Sequence, residues 1–258
     1  MNKWTWLPCF LLLAGCASAP VTNPTDSYTS SNPANDNPVR HRARIHTELG
    51  SGYYVQGMLG VSLEELKQAT EIDPSFAPAH NGLGLVYAAL REDALAEASF
   101  KRALQLDSGS SETHNNYGTF LCTRGRAGES IPEFVAAVKN PLYSTPELAY
   151  LNAGVCALKK PDDVQAEGFL LNALQLQPAL NKASYYLASI YFGRGKVEQA
   201  ADYFKRAMEN AEATPETLWL GIRIARQQSD QNAEASYSLL LKNKFPTSEQ
   251  TKLLTSGQ

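Results

Sequence analysis

The chain is poor in the residues that carry chemistry. Its 258 residues hold four histidines, four cysteines and three methionines. His41, His46, His80 and His114 are not at spacings that bring imidazoles onto one metal. No His-Glu-x-x-His, Gly-x-Ser-x-Gly or glycine-rich phosphate loop occurs. These absences speak against metal, acyl-transfer and nucleotide chemistry, and the chain reads as a non-enzyme with no cofactor and no small-molecule substrate. A dominant charge is missing too. With 23 Lys and Arg against 26 Asp and Glu the net charge is −3, and no basic run appears, which argues against a nucleic-acid partner. The cluster Arg40, Arg42 and Arg44 reads as a solvated entry to the folded part. A long hydrophobic run is also lacking: the apolar stretch from Trp4 to Leu13 covers about ten residues, too short to cross a bilayer as a helix.

That stretch has the form of a leader. Met1-Asn2-Lys3 gives a short positive start, the apolar run follows, and Leu13-Ala14-Gly15-Cys16 closes it. Small residues before a cysteine at this place resemble the bacterial lipoprotein cleavage box. The resemblance implies that residues 1–15 are removed and that Cys16 becomes an acylated N-terminus, carrying fatty-acyl chains such as palmitate. Ala17 and Ser18 follow, with no aspartate in the second mature position. By the same resemblance the destination is the outer membrane, on its periplasmic side. Several acyl chains, at about 0.8 kcal/mol per buried methylene, make a firm anchor. The segment after Cys16, to residue 42, is rich in Ser, Thr, Asn and Pro and too poor in large apolar side chains to fold. It reads as a tether with a typical span of roughly 25–30 Å.

The rest of the chain is periodic. An apolar residue followed by a small one recurs at Leu49-Gly50, Leu83-Gly84, Tyr117-Gly118, Ala153-Gly154, Leu187-Ala188 and Leu220-Gly221, and the small residues are 34, 34, 36, 34 and 33 positions apart. Two further columns keep register with them. One runs Leu66, Phe100, Phe134, Leu170, Phe204 and Tyr237; the other runs Ala69, Ala103, Ala137, Ala173 and Ala207. This is the tetratricopeptide pattern, repeated over residues 43–76, 77–110, 111–144, 147–180, 181–213 and 214–246, with 247–258 as a tail. Small residues let the two helices of a unit approach, and the large ones fill the grooves between neighbours. One unit cannot bury its own apolar face, so the units must stack. The fold class is all-α, a right-handed superhelical solenoid with a concave inner wall.

Local signals refine this frame. Ser62 with Glu65 has the form of a capping box at the start of the second helix of repeat one. Pro132 is tolerable only in a first turn, which predicts a short helix starting near Ser130. Pro141 and the two extra residues before repeat four predict a break in the superhelix. Thr145-Pro146-Glu147 and Thr214-Pro215-Glu216 read as helix starts. The tail, with Leu253 and Leu254, reads as a short capping turn or a frayed end. His80 and His114 share one repeat position and read as packing substitutes for an aromatic.

In tetratricopeptide repeats a fixed set of first-helix positions faces the groove. Here they hold Tyr54, Asn81, Leu85, Asn115, Asn116 and Thr119 in the first three repeats. Repeats four to six contribute Leu151, Asn152, Val155, Leu158, Tyr185, Tyr186, Phe192, Leu218, Trp219 and Ile222. So many apolar and amide groups on one face suggest a groove for a peptide or helix of another protein. Lys and Arg are nearly missing from these positions, which argues against a carboxylate clamp. Some of these side chains serve the core instead if the superhelix is tight or the tail folds over them. Cys122 and Cys156 lie on the first helices of neighbouring repeats. Spacing leaves two readings open, a disulfide or two buried thiols.

The cleavage box, the tether, the six repeats and two cysteine segments together resemble the PilF/PilW family, the outer-membrane lipoproteins of type IV pilus biogenesis. The segments are Asn115-Asn116-Tyr117-Gly118-Thr119-Phe120-Leu121-Cys122 and Asn152-Ala153-Gly154-Val155-Cys156-Ala157. Thr119 departs from the tryptophan usual in the family, which touches only the local groove contacts. The resemblance implies a pilotin, an adaptor that brings the pilus secretin to the outer membrane and promotes its multimerisation. It also favours the disulfide between Cys122 and Cys156. The alternative is a tetratricopeptide lipoprotein serving peptidoglycan enzymes, as NlpI does, or outer-membrane protein assembly.

Overall fold

The computed structural model describes residues 37–160 and 162–256. The expected leader, Cys16 and most of the tether lie outside the described residues. The described part forms thirteen helices, and none of them is long and apolar enough to cross a membrane. They pair as α1 (Pro38–Val55) with α2 (Leu59–Ile72), α3 (Ala77–Ala89) with α4 (Asp93–Leu106), and α5 (Ser111–Thr123) with α6 (Ala127–Ala137). Then come α7 (Pro146–Leu158) with α8 (Asp163–Leu176), α9 (Asn181–Gly193) with α10 (Val197–Met208), and α11 (Pro215–Gln227) with α12 (Gln231–Lys244). A last short helix, α13 (Glu249–Thr255), closes the array. Each first helix touches the next first helix, whereas neighbouring second helices stand further apart. The row therefore curves into a solenoid with α1, α3, α5, α7, α9 and α11 on its inner wall.

The small-residue column explains the pairing. A Cβ on Gly84 would lie 2.6 Å from the Phe100 ring, and one on Gly118 would lie 2.9 Å from Phe134. Phe100 and Phe134 are buried to 1% exposure or less, so neither ring has room to retreat. Repeat six departs from this rule. A Cβ on Gly221 would meet Phe204 of the preceding repeat at 2.5 Å, while Tyr237, in register for that place, stands edge-on to Phe204 at 5.4 Å.

Several local expectations are corrected. Helix α1 starts at Pro38, so the folded part takes in residues that composition places in the tether. Asn37 caps it by accepting from the Arg40 N–H, Pro38 stands at its first position, and Arg40 bonds Asp73 and Ser75 of the turn before α3. Arg40 is thus a structural clamp. Ser62 is not a cap: α2 begins at Leu59, and the buried Ser62 hydroxyl donates to the Gly50 carbonyl at 2.7 Å. Helix α6 begins at Ala127, which places Pro132 beyond its first turn. The repeat register, which buries Ala127, Ser130 and Ile131, outweighs the proline. Pro132 and Gly128 are both exposed, so the carbonyl that loses its donor has access to water. Thr145 precedes α7 but makes no side-chain cap, whereas Thr214 and Thr217 form a reciprocal capping box on α11.

The expected break between repeats three and four is not a break in packing. Cys122, Ala127, Phe134, Ala153 and Cys156 form one buried cluster across the longer connection. His80 and His114 also differ from the expectation: each is held by hydrogen bonds, His80 to the Pro74 carbonyl and His114 to Glu133 and the Ser108 carbonyl.

Candidate functional site

The inner wall is built from three chemistries that follow one another along the solenoid. In repeats two to four it carries amide rungs. Asn116 Nδ2 donates to Asn81 Oδ1 at 3.2 Å, and Asn152 Nδ2 donates to Asn115 Oδ1 at 3.1 Å. Each rung joins the first helices of neighbouring repeats and uses only part of the bonding capacity of its amides. The Asn115 and Asn116 side chains are half-buried, so spare N–H and C=O groups remain for a peptide backbone. Asn81 is itself buried and acts by orienting Asn116.

Beyond the rungs the wall is apolar and then aromatic. Val155 and Leu158 are half-buried. Tyr185 and Tyr186 pack edge to face at 5.2 Å, and burial raises both phenolic pKa values. The Arg223 guanidinium lies 4.5 Å from the centre of the Phe192 ring, and Arg226 lies 5.7 Å from that of Trp219. Arg223 falls outside the usual groove positions of the repeat, so the pattern alone does not pick it out. Its place one helical turn after Trp219 is the signal that would have found it.

Leu151, Leu218 and Ile222 do not face the groove. Leu151 is 5% exposed and belongs to the central core. Leu218 and Ile222 are fully buried with Ala213 and Leu241, and Trp219, Phe245 and Leu254 pack against that cluster. Leu254 comes from α13, so the tail folds as a cap on the last repeat. Tyr54, Leu85, Asn152, Tyr186, Phe192 and Trp219 keep partial exposure.

Cys122 and Cys156 are joined by a disulfide, with their Cα atoms 5.8 Å apart. The Ser130 hydroxyl lies 2.9 Å from Cys156 Sγ, and Lys159 Nζ donates to the Cys122 carbonyl at 3.2 Å. The bond ties α5 to α7, the two helices that carry the rung between Asn115 and Asn152, and so fixes them against each other.

The histidine column has a third member that the pairing of His80 with His114 leaves out. His46, His80 and His114 are 34 residues apart, and His46 and His114 each meet a carboxylate 19 residues on, Glu65 at 2.7 Å and Glu133 at 2.6 Å. His80 has Ser99 at the corresponding place and lacks the pair. These contacts tie first to second helices and are structural.

Comparison with known proteins fits this architecture. Residues 50–90 match a TPR repeat family, and residues 77–109 and 170–216 match tetratricopeptide repeat families. The crystal structure of PilW, a widely conserved type IV pilus biogenesis factor, superposes with a TM-score of 0.76 at 31% identity, covering 85% of this chain and all of that one. This chain belongs to the PilF/PilW family. The type IV pilus assembly protein PilF of Pseudomonas aeruginosa is 28% identical over 92% of this chain and 90% of its own length. A PilF structure matches with a TM-score of 0.81 at 27% identity, covering 86% of this chain and all of that one. A lipoprotein NlpI homologue of Haemophilus influenzae is 29% identical over 66% of this chain and 65% of its own length.

Proposed function

We propose that this PilF/PilW-family chain is a pilotin: a lipid-anchored adaptor, held at the periplasmic face of the outer membrane through Cys16, that binds the pilus secretin subunit and promotes its localisation and multimerisation. The observation that carries this reading is the extent of the likeness to PilF, over nine-tenths of both chains. The NlpI-like likeness stops at about two-thirds of either chain, so a role with peptidoglycan enzymes or in outer-membrane protein assembly is the weaker alternative. The inner wall supports an adaptor role, because its half-buried aromatics and unfilled amides are more than the core requires.

The chemistry is recognition alone. Tyr185, Tyr186, Phe192 and Trp219 supply apolar area at low entropic cost, and the amide rungs supply main-chain hydrogen bonds. The test is a blot for heat-resistant secretin multimers in membranes of a deletion strain complemented with the wild type or with Cys16→Ala. The expected result is loss of multimers in the deletion and misplaced multimers with Cys16→Ala. Normal multimers in the normal membrane would overturn the pilotin reading, and cell-shape defects without pilus loss would favour the alternative.

A further inference from the structure

In five of the six repeats the turn between the two helices passes through a left-handed residue among the described residues, in repeat six Ser229 at φ 58°. Glycine occupies it at Gly57, Gly125 and Gly195, with φ of 75°, 76° and 71°. In repeat two the same place holds Arg91, at φ 64°. A bulky side chain there is disfavoured relative to glycine, and no internal contact offsets the strain. Arg91 is exposed, and its guanidinium has no ion pair, side-chain hydrogen bond or ring contact among the described residues.

Arg91 does line a pocket of about 370 Å³ on the inner wall between repeats two and three. Tyr54, Leu85 and Ala88 give it an apolar surface over the buried Phe100 and Phe120 rings, and Asn116 and Thr119 line it too. Two guanidinium groups and no carboxylate line it. Arg124 is already committed: it bonds Asp93 and the Ala88 carbonyl and lies over the Phe120 ring. Arg91 alone is open. An apolar floor, an amide with spare bonding capacity and one uncompensated cation call for an occupant of matching chemistry.

We propose that this pocket docks an acidic, apolar segment of the partner. A large apolar side chain seats against Tyr54, Leu85 and Ala88, an Asp or Glu within two residues of it pairs with Arg91, and the intervening backbone bonds Asn116. The identity of the partner as the secretin rests on the pilotin reading; the chemistry of the segment rests on the pocket.

The test places a photoreactive benzoylphenylalanine at Thr119 of the full lipidated chain in cells and maps the crosslinked peptide. The expected product is one secretin segment with a carboxylate within two residues of a large apolar side chain. Arg91→Gly should lower its yield about tenfold, as expected for loss of one charge-assisted hydrogen bond, and Arg91→Lys should lower it less. Arg91→Gly should also melt at the same temperature as the wild type or higher, because glycine relieves the left-handed strain. That separates lost recognition from lost fold.

A secretin segment without a carboxylate, no crosslink, an unchanged yield with Arg91→Gly, or a crosslink to residues 17–36 of the chain itself would each overturn the proposal. If the deletion abolishes multimers while Thr119 captures no secretin, the pocket is wrong and the pilotin reading stands. If multimers are normal in the deletion and Thr119 captures some other protein, both are wrong.

Discussion

Gly84 and Gly168 show how one chemical change acts with opposite sign at two places. A methyl at Gly84 would enter the Phe100 ring at 2.6 Å, and a fully buried ring in a packed core yields only by displacing the α3–α4 contact. Gly84→Ala should destabilise by about 1–3 kcal/mol, seen as a lowered thermal midpoint. Gly168 is exposed on α8, and a methyl there would have nothing within 4 Å. Gly168→Ala should instead gain up to about 1 kcal/mol from helix propensity. A pH effect belongs to the same scale. Glu133 accepts from Nδ1 of His114 and the Ser108 carbonyl accepts from Nε2, so making both bonds at once requires the imidazolium. The bond to Glu133 raises the His114 pKa above 6.5 against the opposing effect of burial. A raised folded-state pKa adds stability that is complete below the unfolded value and is lost as pH climbs through the folded one. The urea midpoint of the wild type should therefore exceed that of His114→Gln by more at about pH 5.5 than at about pH 8.5. An equal gap at both would show that folding leaves the His114 pKa unshifted, and a smaller gap at the lower pH that His114 stays neutral.

Helix α6 shows where a local rule yields to the repeat. The six second helices begin at Leu59, Asp93, Ala127, Asp163, Val197 and Gln231, in nearly the same stepping as the small-residue column, so the start of α6 is set by what Ala127 must bury. Pro132 then falls in the interior. Because it is exposed and its missing N–H faces no buried acceptor, Pro132→Ala should raise stability by about 1–2 kcal/mol in chemical denaturation. A proline in the first turn, as the sequence alone suggested, would give almost no change. The helices and their pairing were legible because one period repeats six times and each column has a packing partner to explain it. The burial of Leu218 and Ile222 was not legible. It depends on α13 folding back, and a tail with two leucines among polar residues carries no periodic signal of that contact. Arg40 was misread for a related reason: the column that identifies a repeat starts at Ala43, whereas the helix starts where Asn37 caps it.

At the scale of the whole molecule, a solenoid is a row of units whose stability is a sum of local and nearest-neighbour contributions, so its cooperativity is only as strong as its weakest interface. The longest connection, from Val138 to Thr145, spans the interface between repeats three and four. The disulfide sits at the same interface. Cys122 and Cys156 close a loop with a sequence separation of 34, which corresponds to roughly 3–4 kcal/mol of denatured-state entropy. Repeats one to three and four to six should therefore unfold together while the bond is intact, because parting them leaves a covalent link that holds α5 against α7. In the Cys122→Ala, Cys156→Ala double variant, urea denaturation should lose that stability and separate into two transitions. A probe near Trp219 would follow the C-terminal half and far-ultraviolet circular dichroism would follow both. A single transition, lowered but still coincident by both probes, would show that the buried cluster of Ala127, Phe134 and Ala153 couples the halves without the bond. The rung between Asn115 and Asn152 would then owe its geometry to packing alone.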